Sequence, residues 1–110
     1  MKNKIQKGDV ITVIAPYAVT SGQGVKVGAL FGVAAGDASQ GNPVEIDRTG
    51  VYALAAVTAD TGAAGDKMYW DDTARKLTKT ATSNTLVGAL AVAKGGSDTT
   101  AAVLLDGAIR

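Results

Sequence analysis

The chain has 110 residues, a formal net charge of +1, and neither Cys nor His. That length suits one domain, and the missing residue types remove disulfides, thiol nucleophiles, zinc sites built on Cys or His, and any histidine general base. With aromatics at 5% of the chain, the core must come from Val, Leu, Ile and Ala, which bury little area each at about 25 cal/mol per Å², so modest stability and a gain from assembly are expected.

Residues 1–8 form a polar lead containing Lys2, Lys4 and Lys7. With so small a net charge, the cluster reads as a solvated tail rather than a phosphate-binding arm. Lys2 and Lys4 followed by the apolar Val10 to Val19 resemble a signal peptide, but Asp9 and Thr12 interrupt the run and Pro16 breaks it. No apolar run approaches the ~20 residues of a membrane helix. Val10 to Ile14 is β-branched and Thr-containing, and predicts a strand that Pro16 stops. Ala18 to Thr20 resumes briefly before the Ser21-Gly22-Gln23-Gly24 turn.

Val25 to Val27 is a short strand, with Gly28 expected as a bulge or a point of close approach. Leu30 to Ala34 follows, then a loop from Gly36 to Pro43. Val44-Glu45-Ile46-Asp47 alternates apolar and charged residues. Arg48-Thr49-Gly50 reads as a turn and Val51 to Leu54 as the return arm of a hairpin. Ala56 to Gly65 is small and polar, and is expected to be an exposed loop.

Gly65 to Leu77 is the stretch around which the chain is organised. Lys67 to Trp70 is a strand with Met68 and Trp70 on one face and Lys67 and Tyr69 on the other. Asp71, Asp72 and Thr73 form a turn through their short polar side chains, and Leu77 begins the return. Trp70 with Tyr69 is the best large anchor in a chain with so few. Thr78 to Thr85 is a Thr- and Ser-rich connection with Asn84 as turn residue. Leu86 to Ala93 predicts a longer strand, Gly95 to Asp98 a turn, and Ala101 to Leu105 the return, ended by Asp106-Gly107.

Helical periodicity is absent, and short β-branched runs between Gly-rich turns give the fold class: all-β, a small single-domain β-barrel or jelly-roll-like sandwich. The expected division is a lead at 1–8, one β domain at 9–107 and a tail at 108–110. Val27-Gly28-Ala29-Leu30 recurs as Val87-Gly88-Ala89-Leu90. The echo suggests two similar hairpins, each with a Gly where the backbone passes a neighbour.

No catalytic constellation emerges. The serines Ser21, Ser39, Ser83 and Ser97 all sit in predicted turns. Asp71 and Asp72 lack the Asp-x-Asp-x-Asp-Gly context of a calcium loop. Gly22-Gln23-Gly24 lacks the strand-loop-helix setting of a phosphate loop. Trp70 and Tyr69 could stack bases or sugars, but no basic cluster surrounds them, so core or interface is the favoured role. No enzyme activity, cofactor or metal is expected.

In order along the chain, Lys7-Gly8-Asp9-Val10-Ile11-Thr12-Val13, Thr20 to Val25, Val27 to Ala34, Gly50 to Leu54, Gly65 to Asp71 and Asn84 to Gly88 together resemble a family of phage and prophage capsid decoration, or cement, proteins. The resemblance implies a structural protein made in the bacterial host cytoplasm and carried on the outer face of the virion capsid. It implies the major capsid protein as partner and a homo-oligomer, with a trimer favoured over a dimer and no nucleic acid or membrane partner. Lys2, Lys4, Lys7, Tyr17, Tyr69 and Trp70 are the candidate capsid or oligomer contacts, with the Ala56 to Gly65 loop beside them. The alternatives are a ligand-binding β module for sugar or nucleic acid, and a phage tail or fibre component.

Overall fold

The computed structural model describes residues 9–109. The lead that carries Lys2, Lys4 and Lys7 therefore lies outside the described residues. Nine strands run in chain order: β1 (Val10–Ile14), β2 (Gly24–Val27), β3 (Leu30–Ala34), β4 (Pro43–Asp47), β5 (Thr49–Ala55), β6 (Lys67–Asp71), β7 (Lys76–Thr78), β8 (Thr85–Leu90) and β9 (Thr100–Asp106). Among the described residues there is no helix.

The strands form two antiparallel sheets, one of four in the order β1-β4-β3-β2 and one of five in the order β5-β9-β8-β6-β7. Side chains alternate across each strand, so each sheet sorts its residues onto two faces. In the four-stranded sheet, Phe31 and Val33 face the larger sheet and join its core. Val25, Ala34, Val44 and Ile46 point the other way and make a second, smaller core with Ala15 and Val19. The β1–β2 and β3–β4 connections cap that core, joined where Val19 and Ala38 exchange backbone hydrogen bonds of 2.9 and 3.0 Å.

The main core fills the concave side of the five-stranded sheet with Leu54, Met68, Trp70, Leu77, Leu90 and Val103, among others. This sheet curls until its edges meet at one point. Ala56, just past β5, forms a parallel bridge with Leu77 on β7, and the Val57 N–H donates to the Leu77 carbonyl at 2.9 Å. One bridge is not a ladder, and among the described residues no closed barrel forms.

Three local expectations are corrected. First, Val44 to Leu54 is not a hairpin: β4 pairs with β1 and β3, whereas β5 pairs with β9. The chain passes from one sheet to the other at Arg48, whose guanidinium hydrogen-bonds to the Gly107 carbonyl. Second, Gly28 is neither bulge nor close approach; it sits in the two-residue β2–β3 turn at φ +59° with open space around it. Third, β8 ends at Leu90 rather than Ala93. Beyond it the Ala91 N–H still donates to Ala102 at 2.9 Å, but the chain then turns to bring Lys94 inward.

The Ala56 to Gly65 loop is solvent-facing, as expected, and it is also tied down. Lys94 is only 5% exposed, and its ammonium donates to the carbonyls of Thr58, Asp60 and Gly95 at 3.1, 2.6 and 3.1 Å. A buried cation is tolerated only when its protons are satisfied, and here those three carbonyls satisfy them. The Asp60 carboxylate also accepts from the Thr78 hydroxyl and the Lys79 N–H, both at 2.9 Å.

Candidate functional site

A partly enclosed cleft lies at the junction of the two sheets, lined by Tyr17, Gly22, Gly24, Leu54, Trp70 and Arg75. Its geometry begins with the β6–β7 hairpin. The Asp71 carboxylate accepts from the Thr73 and Ala74 N–H groups at 3.0 and 3.2 Å, which forms the turn. Asp72 is thereby left to face the smaller sheet. Its Oδ1 accepts from the Trp70 indole N–H at 3.0 Å and from the Tyr17 hydroxyl at 3.0 Å. The Asp72 carboxylate thus reaches a residue 55 positions away in the chain.

The Arg75 guanidinium lies 3.8 Å from the centroid of the Tyr17 ring, a cation–π contact that closes the cleft's outer side. Burial pushes the Tyr17 hydroxyl above its ordinary pKa; the Lys26 N–H opposes that shift and Asp72 adds to it. Inside the junction Phe31 and Trp70 stack at 5.0 Å with their rings tilted by 52°. Gly24 makes that stacking possible, because a Cβ there would lie 2.7 Å from the Trp70 ring. A second polar link crosses the sheets nearby: the Tyr52 hydroxyl donates to the Asp47 carboxylate, a bond that pushes Tyr52 up to about 12.

The structure brings Tyr17 and Trp70 together, as two of the expected contact residues, through Asp72. Trp70 is 2% exposed, so its ring is spent on the core of its own chain. Tyr69 is half-buried on the opposite face of β6, across from Leu86 on β8. Tyr69 and Trp70 therefore form no shared stacking platform, which removes the geometry a sugar- or base-binding module would need from them.

The convex face of the five-stranded sheet is a second surface of interest. Val51 and Leu104, 56% and 49% exposed, stand directly opposite each other on β5 and β9. Ala53 faces Ala102 beside them, and Ala89 of β8 flanks Leu104. Sequence reasoning missed this patch, although the alternation of Val51, Ala53 and Ala55 with Tyr52 and Leu54 carries it. It also missed Asp72 as a link, Arg75 as a lid on Tyr17, and Lys94; no local signal marks their partners.

Chemically, these surfaces can hold another molecule but offer no nucleophile paired with a base. Among the described residues no group of three or more Asp and Glu side chains is placed to hold a metal ion. In comparisons with known proteins, a family model described as phage cement protein matches residues 5–105. No curated protein and no solved structure matches.

Proposed function

Because the chain belongs to the phage cement protein family, whose role is structural and capsid-associated, we propose that it binds the outer surface of a tailed-phage head and stabilises contacts between major capsid protein subunits. The observation that carries this reading is a family match spanning residues 5–105 of 110. It is supported by surfaces suited to adhesion and by the absence, among the described residues, of a catalytic or metal-binding constellation.

The proposed capsid contacts are the lead with Lys2, Lys4 and Lys7, the loop from Ala56 to Gly65, and Tyr17 with Tyr69. Tyr17 and Ala55 line the same cleft, so the loop that follows Ala55 starts beside Tyr17. A stable contact needs about 800 Å² on each partner. A homo-oligomer presenting several such patches gains avidity beyond any single one.

The test is co-sedimentation and electron microscopy of the protein mixed with its cognate capsids, before and after shell expansion. Decoration of expanded shells alone is expected; binding to neither form rejects the reading. Removing residues 2–7 should weaken capsid binding without unfolding the domain, and unchanged affinity would take the lead out of the contact surface.

A further inference from the structure

The two sheets are built on one plan. The order β1-β4-β3-β2 recurs as β5-β9-β8-β6, with β7 added at the end. The connections repeat as well. The Ala15 N–H donates to the Asn42 carbonyl at 2.9 Å, and the Ala56 N–H to the Thr99 carbonyl at 3.0 Å. The Gly22 N–H donates to Ala34 and the Gly65 N–H to Leu90, at 2.9 and 2.8 Å, with φ at +90° and +92°. The Ala35 N–H donates to Glu45 and the Ala91 N–H to Ala102, both at 2.9 Å. The Gln23 side chain accepts from the Thr20 N–H, just as the Asp66 carboxylate accepts from the Ala63 N–H. Gly32 and Gly88 are tight for one reason: an added Cβ would lie 2.9 and 2.1 Å from the carbonyl oxygens of Asp47 and Leu104. Residues 10–47 and 51–104 are therefore two versions of one four-stranded unit.

Matched positions do not share the same surroundings. Gly24, Val33, Asp47 and Val10 form one cross-strand row on the first unit. Lys67, Ala89, Leu104 and Val51 form the same row on the second. The second unit covers most of the first row. Trp70 packs against Gly24, Val33 joins the main core, and the Tyr52 hydroxyl donates to Asp47. The second row has no such cover among the described residues. Val51 and Leu104 stay exposed, and Lys67, Leu86, Gly88, Ala89, Leu104 and Asp106 line a hollow of about 220 Å³. A space of about 150 Å³ suffices to hold a benzene ring. Two residues change what this surface accepts. Leu104 stands where Asp47 takes a phenol hydroxyl, and Lys67 stands where Gly24 admits the indole. The second unit thus offers apolar surface beside a cation, a pairing that suits the face of an aromatic ring.

We infer that this hollow receives an aromatic side chain of the major capsid protein. It lies on the face of the second unit that corresponds to the face by which the first unit is already docked inside the chain. The identity of the partner rests on the capsid reading above, whereas the fit to a ring rests on the repeated unit alone.

Leu104→Asp gives the second unit the residue that the first carries at that place, so the variant should fold with an unchanged far-UV spectrum. It should weaken co-sedimentation with expanded cognate capsids at least ~10-fold. Ile14→Lys, at an exposed position of the first unit, should leave that affinity unchanged. A benzophenone side chain introduced at Val51 should cross-link, on those shells, to a capsid-protein segment that holds Trp, Tyr or Phe. In the free protein, indole should shift the amide resonances of Ala89 and Leu104. A wild type that binds neither capsid form overturns the partner together with the capsid reading. A wild type that binds, with folded Leu104→Asp binding equally well, overturns the hollow and leaves that reading standing. An equal loss in Ile14→Lys, cross-links confined to residues 1–8 of the same chain or to a second copy, a cross-linked segment without an aromatic residue, or indole shifts that miss these amides would overturn the hollow too.

Discussion

The same four residues, Val-Gly-Ala-Leu, occur at 27–30 and at 87–90, and the protein folds them in two different ways. At 27–30 they close the β2–β3 hairpin, with Gly28 and Ala29 as the turn. At 87–90 they lie inside β8, with Gly88 opposite Leu105 and Met68 on its two neighbouring strands. Gly28 is needed for its positive φ, in open space. Gly88 is needed for its missing side chain, because a Cβ there would lie 2.1 Å from the Leu104 carbonyl oxygen. A short identical stretch therefore carries no shape of its own; the strands around it decide which property of glycine is used.

The sharpest way to break this comparison is to add one methyl group at each glycine. Gly88→Ala drives a carbon into backbone that is held on both sides. Its cost should fall at or above the top of the usual overpacking range, about 3 kcal/mol or more. Chemical denaturation reads this directly, and a loss under 1 kcal/mol would show that β8 and β9 can part without penalty. Gly28→Ala meets no atom and suffers only the left-handed backbone, so about 1 kcal/mol is expected, with Gly28→Asn milder still. Equal losses at the two sites would end the contrast.

Lys94 extends the comparison beyond the repeats, since its buried ammonium sits in the connection that leaves the second copy. Lys94→Met keeps the stem and strands the Thr58, Asp60 and Gly95 carbonyls, so a loss between the two glycine effects is expected, about 2 kcal/mol. Amide exchange should speed up in the Ala56 to Gly65 loop and stay unchanged at β3; loss of protection throughout would make Lys94 a global rather than a local support.

The smallest effect at neutral pH is expected for Tyr52→Phe, below about 1 kcal/mol for one partly exposed hydrogen bond. Its signature is alkaline. The Tyr52 pKa is raised from 10.0 to about 12 by its bond to Asp47. The neutral phenol is therefore the form that the fold favours. That contribution is complete below pH 10 and disappears as pH rises through about 12. Tyr52→Phe should flatten the decline of stability over that window, and an unchanged profile would mean that the Asp47 bond does not join the sheets.

Most strands were readable because alternation is a local signal. Val44-Glu45-Ile46-Asp47 and Lys67-Met68-Tyr69-Trp70 declare their faces within four residues, and the structure keeps them. Pairing is not local. Arg48-Thr49-Gly50 reads as a reversal, but nothing in those residues says that β5 leaves the first sheet for β9, more than forty positions later. Trp70 was recognisable as an anchor through scarcity alone. Its partner Asp72 was seen only as a turn former, because the Tyr17 hydroxyl that completes its role lies on the other side of the fold. Lys94 carries no mark of its own in the sequence, since burial of an ammonium depends on carbonyls that only the folded loop assembles.

The chain has a single Trp, and its indole N–H is held by a carboxylate that also grips the opposite sheet. Any force that slides one sheet over the other must disturb that hydrogen bond and let solvent reach the ring. The protein's intrinsic emission is therefore an unlabelled strain gauge for its own joint. Shear on the joint is expected to register as a red shift of that emission.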